Sequence, residues 1–144
     1  MKSARRRSRE LAVQGLYQWL LNAIDATLIA DDLRQTKGFE QADEKHFRSL
    51  LYGVIEHAGQ LREALVPCLD RPVTSLSPVE HSILLVGAFE LAHHPEVPYR
   101  VVINECVELA KTFGGTDGFK YVNGVLDKLA AAMREHESRD AAND

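Results

Sequence analysis

Apolar residues recur at three- and four-residue spacing along most of this chain, and the two-residue alternation of strands is missing. At 100° per residue, Val13, Leu16, Tyr17, Leu20 and Ile24 form one stripe on a first helix. A second, shorter helix is predicted over 27–36. The third is the clearest: Phe47, Leu50, Leu51, Val54, Ile55, Ala58, Leu61 and Leu65 share a face, with Asp43 as N-cap and Pro67 as terminator. Residues 67–78 hold three prolines among Ser and Thr and divide the chain into halves of about 1–67 and 76–136.

The second half opens on a start signal. Ser77 suits the N-cap, Pro78 the first helical position and Glu80 a capping box. The helix that follows is apolar nearly all round (Ile83, Leu84, Leu85, Val86, Ala88, Phe89, Leu91) and is therefore expected at the centre. His94-Pro95 and Val97-Pro98 break the chain again. A two-faced helix comes next, with Val102, Ile103, Cys106, Val107, Leu109, Ala110 and Phe113 inward and Glu105 and Glu108 on a solvated side. Gly114 suits a left-handed end residue. A last helix over about 117–134 buries Val122, Val125, Leu126, Leu129 and Met133, and the tail from 137 reads as loose. The expected fold is all-α, two small helical bundles in a single domain over 1–144.

Charge adds a second feature. The formal net charge is −4, yet residues 1–10 carry Lys2, Arg5, Arg6, Arg7 and Arg9 against Glu10, leaving a net of −8 for the rest. This segregation points to an anionic partner at the tip and a different partner on the acidic body. Arg6 and Arg9 fall on the apolar side of the first helix, where unpaired guanidiniums would cost several kcal/mol each. The first turns are therefore expected to overhang the bundle or to stay disordered until neutralised. A merely solvated arm is the plain alternative, but solubility does not require four clustered arginines. Arginine's forked donors match phosphate.

A second candidate region is "FGGTDGFKYVNGVLDK", residues 113–128. It sets a Gly-rich loop before a helix N-terminus, whose free N–H groups can meet a phosphate. Phe119 lies at the edge of the buried stripe and is assigned mainly to packing. Tyr121, beside Lys128, is the better stacking platform, and basic and aromatic groups together suit single-stranded nucleic acid. The P-loop spacing is absent, as are GxSxG and HExxH. The six histidines (46, 57, 81, 93, 94, 136) make no ligand spacing, and His93-His94, before a proline, read as helix-end residues; Cys68 and Cys106 read as buried small side chains. No apolar run spans a bilayer, and no signal-peptide pattern opens the chain, so a cytoplasmic binding module is expected, without catalysis, metal or cofactor.

Three stretches, "RRRSRELAVQGLYQW", "VPYRVVINECVELAKTFG" and "DGFKYVNGVLDKLA", together resemble the NusB family of transcription antitermination factors, in order over nearly the whole chain. The resemblance implies two three-helix bundles at an angle. It also implies binding of the boxA element of nascent RNA, notably in ribosomal RNA operons, jointly with NusE, the small-subunit ribosomal protein that doubles as a transcription factor. With other Nus factors on RNA polymerase, the complex opposes premature termination. By this resemblance Arg5, Arg6, Arg7 and Arg9, with Asp117, Gly118, Phe119, Lys120 and Tyr121, form the RNA site, and Tyr17 and Glu80 match the NusE-binding surface. Asp117 is then a helix cap or an acceptor for a base amine. Phe119 and Tyr121 depart from common family residues while leaving stacking possible. Trp19 is assigned to packing. Two rivals stay open: the RNA-targeting domain of a ribosomal RNA methyltransferase, which needs a following Rossmann-type region, and a protein-only adaptor.

Overall fold

Ser3 starts the first helix: its Oγ accepts the Arg6 N–H at 3.0 Å, and α1 runs Ala4–Asn22. The computed structural model describes residues 2–115, 117–135 and 137. Asp25 caps α2 (Ala26–Arg34), and Asp43 caps α3 (Glu44–Leu65) by accepting from His46 N. Three short 3-10 turns, Phe39–Gln41, Val66–Cys68 and Val73–Ser75, lead between elements. Then come α4 (Pro78–His93), α5 (Tyr99–Phe113) and α6 (Gly118–Met133). The described residues contain no strand, and no described helix is long and apolar enough to cross a membrane.

The start signal of α4 works as expected with one difference. Ser77 Oγ accepts from Glu80 N (3.1 Å), but the Glu80 carboxylate accepts from that same hydroxyl (2.9 Å) instead of reaching back to the backbone. Helix α4 is central, packing on α1 and α3 on one side and on α5 and α6 on the other. A helix with four helical neighbours needs apolar residues on every face, which explains its lack of an amphipathic stripe. A single apolar cluster runs through both three-helix halves, and free Cys68 and Cys106 are both buried in it. Close approach is set by small residues: a Cβ on Gly15 would stand 2.9–3.0 Å from Ile29, Leu33 and Leu51, so α1 seats against α2 and α3 only without one.

Several expectations need correction. The first turns of α1 do not overhang. Ser8, Arg9 and Glu10 are buried, and Ser8 Oγ donates to Asp43 O at 2.6 Å, tying α1 to the start of α3. Gly114 is extended (φ −95°, ψ −176°), not left-handed; glycine is required because a Cβ would lie 2.7 Å from Ala110 O. Glu105 is not on a solvated face but largely covered by Arg6. His93 and His94 do end α4, and His93 also stacks with His57 and Phe89 at 4.7–6.3 Å between α3 and α4. Trp19 packs as expected, half-buried against the core with the Arg62 guanidinium 5.6 Å from its ring centroid. Glu137 holds Tyr99 N and Arg134, so the tail is anchored there; His136 and residues 138–144 lie outside the described residues.

Candidate nucleic-acid interface

Successive residues of a helix project 100° apart, so the four arginines cannot share one direction. Arg9 turns inward. At 3% exposure it donates Nε and Nη2 to the two carboxylate oxygens of Glu90 at 2.6 and 2.9 Å, and Glu90 is completely buried on α4. His46 Nε2 stands 3.7 Å from the same carboxylate. Burial pushes the Glu90 carboxyl upward, but His46 and Arg9 outweigh it and bring it down to about 2. Arg9 is thereby removed from the exposed RNA-contacting set predicted for it: a forked ion pair through the bundle centre already neutralises its charge.

Arg6 crosses to α5 and meets Glu105 with two bonds, 2.8 and 3.1 Å, and this hydrogen bonding raises its already high pKa. Lys2 Nζ lies 2.7 Å from Glu10. Through Arg6 and Arg9, part of the charge segregation along the sequence serves to dock the arm onto its own acidic body, while Lys2–Glu10 closes within the arm. Arg5 and Arg7 are left with weaker contacts. Arg5 stands 3.7 Å from Asp43, beside a cavity of about 300 Å³ that Lys45, His46, Ser49, His94 and Glu96 also line. Arg7 points elsewhere, donating to Gln41 Oε1 at 3.4 Å, into a cleft of about 200 Å³ with Lys2, Glu10, Lys37, Thr112 and Phe113.

That cleft joins the arm to the second predicted region. Thr112 and Phe113 end α5, and Phe113 also lines a shallow depression with Val79, Glu80, Gly114, Gly115, Asp117 and Gly118. Asp117 makes no side-chain cap bond; it is exposed, 3.5 Å from Lys120 Nζ. The Gly118 and Lys120 N–H groups already donate to Gly115 O and Asp117 O, so α6 starts as a tight turn with fewer free donors than its sequence suggests.

The two rings are both half-buried and differ in their cationic neighbours. Tyr121 packs toward the segment between the halves, where the Arg71 guanidinium covers its ring at 4.1 Å. Phe119 instead stands half-buried with Lys111 Nζ at 5.1 Å and Lys120 Nζ at 6.0 Å from its centroid. A half-buried ring with two ammonium groups over it combines apolar and cationic surface at one place.

Tyr17 is 40% exposed and lines an apolar groove of about 210 Å³ with Val13, Gln14, Val79 and Phe113. Glu80 borders the depression that shares Val79 and Phe113 with this groove, so Tyr17 and Glu80 occupy one side of the molecule. Sequence reasoning did not single out Lys37, which reaches the cleft from a separate loop, or Lys111 and Thr112, which end α5 just before the Gly-rich stretch. It also missed Glu90. A carboxylate in the apolar middle-to-end stretch of α4, and a guanidinium on the apolar side of α1, were the signal that these two meet.

The NusB family model matches residues 6–131. The Transcription antitermination protein NusB of Paraburkholderia xenovorans (strain LB400) is 62% identical over 141 residues, covering 98% of each chain. The NusB protein of Ralstonia nicotianae (strain ATCC BAA-1114 / GMI1000) is 61% identical over 94% of this chain and 88% of its own. Among solved structures, T. maritima NusB superposes with a TM-score of 0.76 at 28% identity, over 90% of this chain and 92% of that one. The NusB chain crystallised as antitermination factors NusB and NusE in complex with dsRNA gives 0.78 at 22% identity, over 88% and 96%, which speaks to the fold. With the family model covering most of its length and relatives this similar, the chain belongs to the NusB family.

Proposed function

We propose that this protein is a non-enzymatic transcription antitermination factor. It binds the boxA element of nascent RNA from ribosomal RNA operons together with NusE, and so keeps RNA polymerase transcribing; this work is done in the cytoplasm. The observation that carries the reading is the continuous band from Lys37, Arg7 and Lys2 across Thr112 and Phe113 to Gly118. Cations, glycine backbone and the neighbouring Phe119 ring offer a flexible strand both charge and stacking. Its close relatives carry the antitermination name, and one fold neighbour was crystallised with NusE and RNA.

The RNA site under this reading is Arg5, Arg7, Asp117, Gly118, Phe119 and Lys120, extended by Lys2, Lys37 and Lys111. Arg6 and Tyr121 act behind them, holding α5 and the segment at Arg71. NusE docks on the apolar groove at Tyr17, with Glu80 at its rim. Both surfaces share Phe113, so either ligand meets a surface partly organised by the other, which favours joint binding.

Titrating labelled boxA RNA against a scrambled control, with and without NusE, tests the reading. Neutralisation of about four phosphates on a single strand gives log K against log[salt] a slope near −3. A slope near zero, or equal binding of the scrambled strand, removes it. Phe119→Ala is expected to weaken binding by about 1–3 kcal/mol, and Tyr121→Ala by less, because Arg71 covers its ring at 4.1 Å, closer than either lysine comes to Phe119. The reverse order in folded variants would return Tyr121 to the stacking role.

A further inference from the structure

Glu10 is the one acid at the head of the cationic arm, and its placement is unlike that of a solvated partner for Lys2. It is only 8% exposed and lines the cleft of Arg7, Lys37, Thr112 and Phe113. One carboxylate oxygen, Oε2, takes the Lys2 ammonium at 2.7 Å. The other, Oε1, is buried and has no hydrogen-bond partner among the described residues. A buried acceptor without a donor is a strained arrangement that a ligand donor relieves.

Each neighbouring group narrows what that donor is. Arg7 and Lys37 sit on the same cleft and favour an anionic ligand, which a bare carboxylate would otherwise repel. Phe39 and Phe113 line it too, supplying apolar ring edges. At about 200 Å³ the space is below that of a drug-sized site and suits a single planar group. A ligand combining phosphate, a flat ring and a hydrogen-bond donor at the ring edge is one nucleotide of an RNA strand. With Oε2 engaged by Lys2, a single acceptor remains, which matches one exocyclic amine, as when a carboxylate accepts from cytosine N4.

We infer that Glu10 is a base-reading residue. Its Oε1 accepts a hydrogen bond from the exocyclic amino group of a cytosine or adenine inserted into the cleft, while Arg7 and Lys37 hold the adjoining phosphates. The inference rests on the RNA-binding reading above and assigns that site its selectivity. Cations alone retain any strand; a fixed, dehydrated acceptor rejects uracil, whose O4 at the equivalent edge is itself an acceptor.

The test uses the full chain with NusE and single-stranded RNA 12-mers: cytidine-containing, adenosine-containing, all-uridine, and one in which cytidines are replaced by N4,N4-dimethylcytidine. The amine-bearing strand is expected to bind about tenfold more tightly than the dimethylated and all-uridine strands, the size of one charge-assisted hydrogen bond. Comparing the cytidine and adenosine strands names the base. The dimethylated strand leaves the protein untouched, so this result does not depend on any variant folding. Glu10→Leu, which has no acceptor, checked for folding by circular dichroism, is expected to shrink the preference to near unity while the salt slope persists. Equal affinity of wild type for all four strands overturns the assignment and leaves RNA binding standing, as does a preference that folded Glu10→Leu retains in full. Failure of wild type to bind any strand overturns both.

Discussion

Replacing Glu90 with alanine is expected to destabilise the fold by about 3–5 kcal/mol, because it leaves the buried Arg9 guanidinium without its forked partner. For a chain of this length that lowers the melting temperature by roughly 10 °C or more. Arg9→Ala should do similar damage from the other side, stranding the carboxylate beside His46. The double variant Arg9→Met, Glu90→Leu should recover most of the loss, since an apolar pair of like volume has no desolvation penalty to offset. Urea denaturation of the four proteins checks this, and a near-neutral Glu90→Ala would show that the pair contributes little. The double variant also separates structure from recognition: its RNA affinity should match wild type if Arg9 acts only inside the fold.

The same pair sets an acid limit. The folded Glu90 carboxyl sits at about 2, below its unfolded value near 4.5, so the stability it contributes is complete above that value and is lost as pH falls through about 2. His81 acts earlier. Burial first, and then the Arg62 charge, push it down to about 4, so the unfolded chain takes up a proton more readily than the folded one below about 6.5. Stability should therefore decline in two stages, beginning below about pH 6.5 and continuing through the carboxylate range. His81→Gln should flatten the first stage and leave the second.

Arg134→Ala is expected to cost about 2–4 kcal/mol, although no sequence rule marks that residue. Its guanidinium donates to the carbonyls of Glu90, Leu91, His94 and Val97 at 2.8–3.2 Å, and to the Glu137 carboxylate at 2.7 Å. Those carbonyls close the C-terminal end of α4 and the turn beyond it, where helix geometry leaves acceptors unmatched. Arg134→Lys should rescue little, because one ammonium cannot span acceptors arranged around a planar fork. Amide hydrogen exchange would locate the damage: protection should fall around residues 90–97 first. Uniform loss across the chain would instead point to a global packing role.

The helices themselves are legible in the sequence. Stripe spacing gave α1, α3, α5 and α6 their faces, Asp43 and Ser77 marked where helices begin, and the all-apolar circumference of α4 announced its central place. These features are local, set by periodicity and by hydrogen bonds spanning three or four residues, so they are written contiguously in the chain. Part of the candidate site was legible for the same reason: clustered arginines, a glycine-rich turn and nearby rings are adjacent in sequence.

What each of those side chains faces was decided only by packing. Arg9 and Glu90 are 81 positions apart, and Arg6 and Glu105 are 99 apart. Whether an arginine is a free cation or a buried strut depends on which helix crosses it, and no local rule encodes that crossing. Tyr121 lost its open face to Arg71, and Phe119 gained two lysines, through the same kind of contact. Sequence alone determined six amphipathic or buried helices and an excess of positive charge at one end. The tertiary structure decided which of those charges remain available to a partner, because electrostatic pairing depends on distance in space, not separation along the chain.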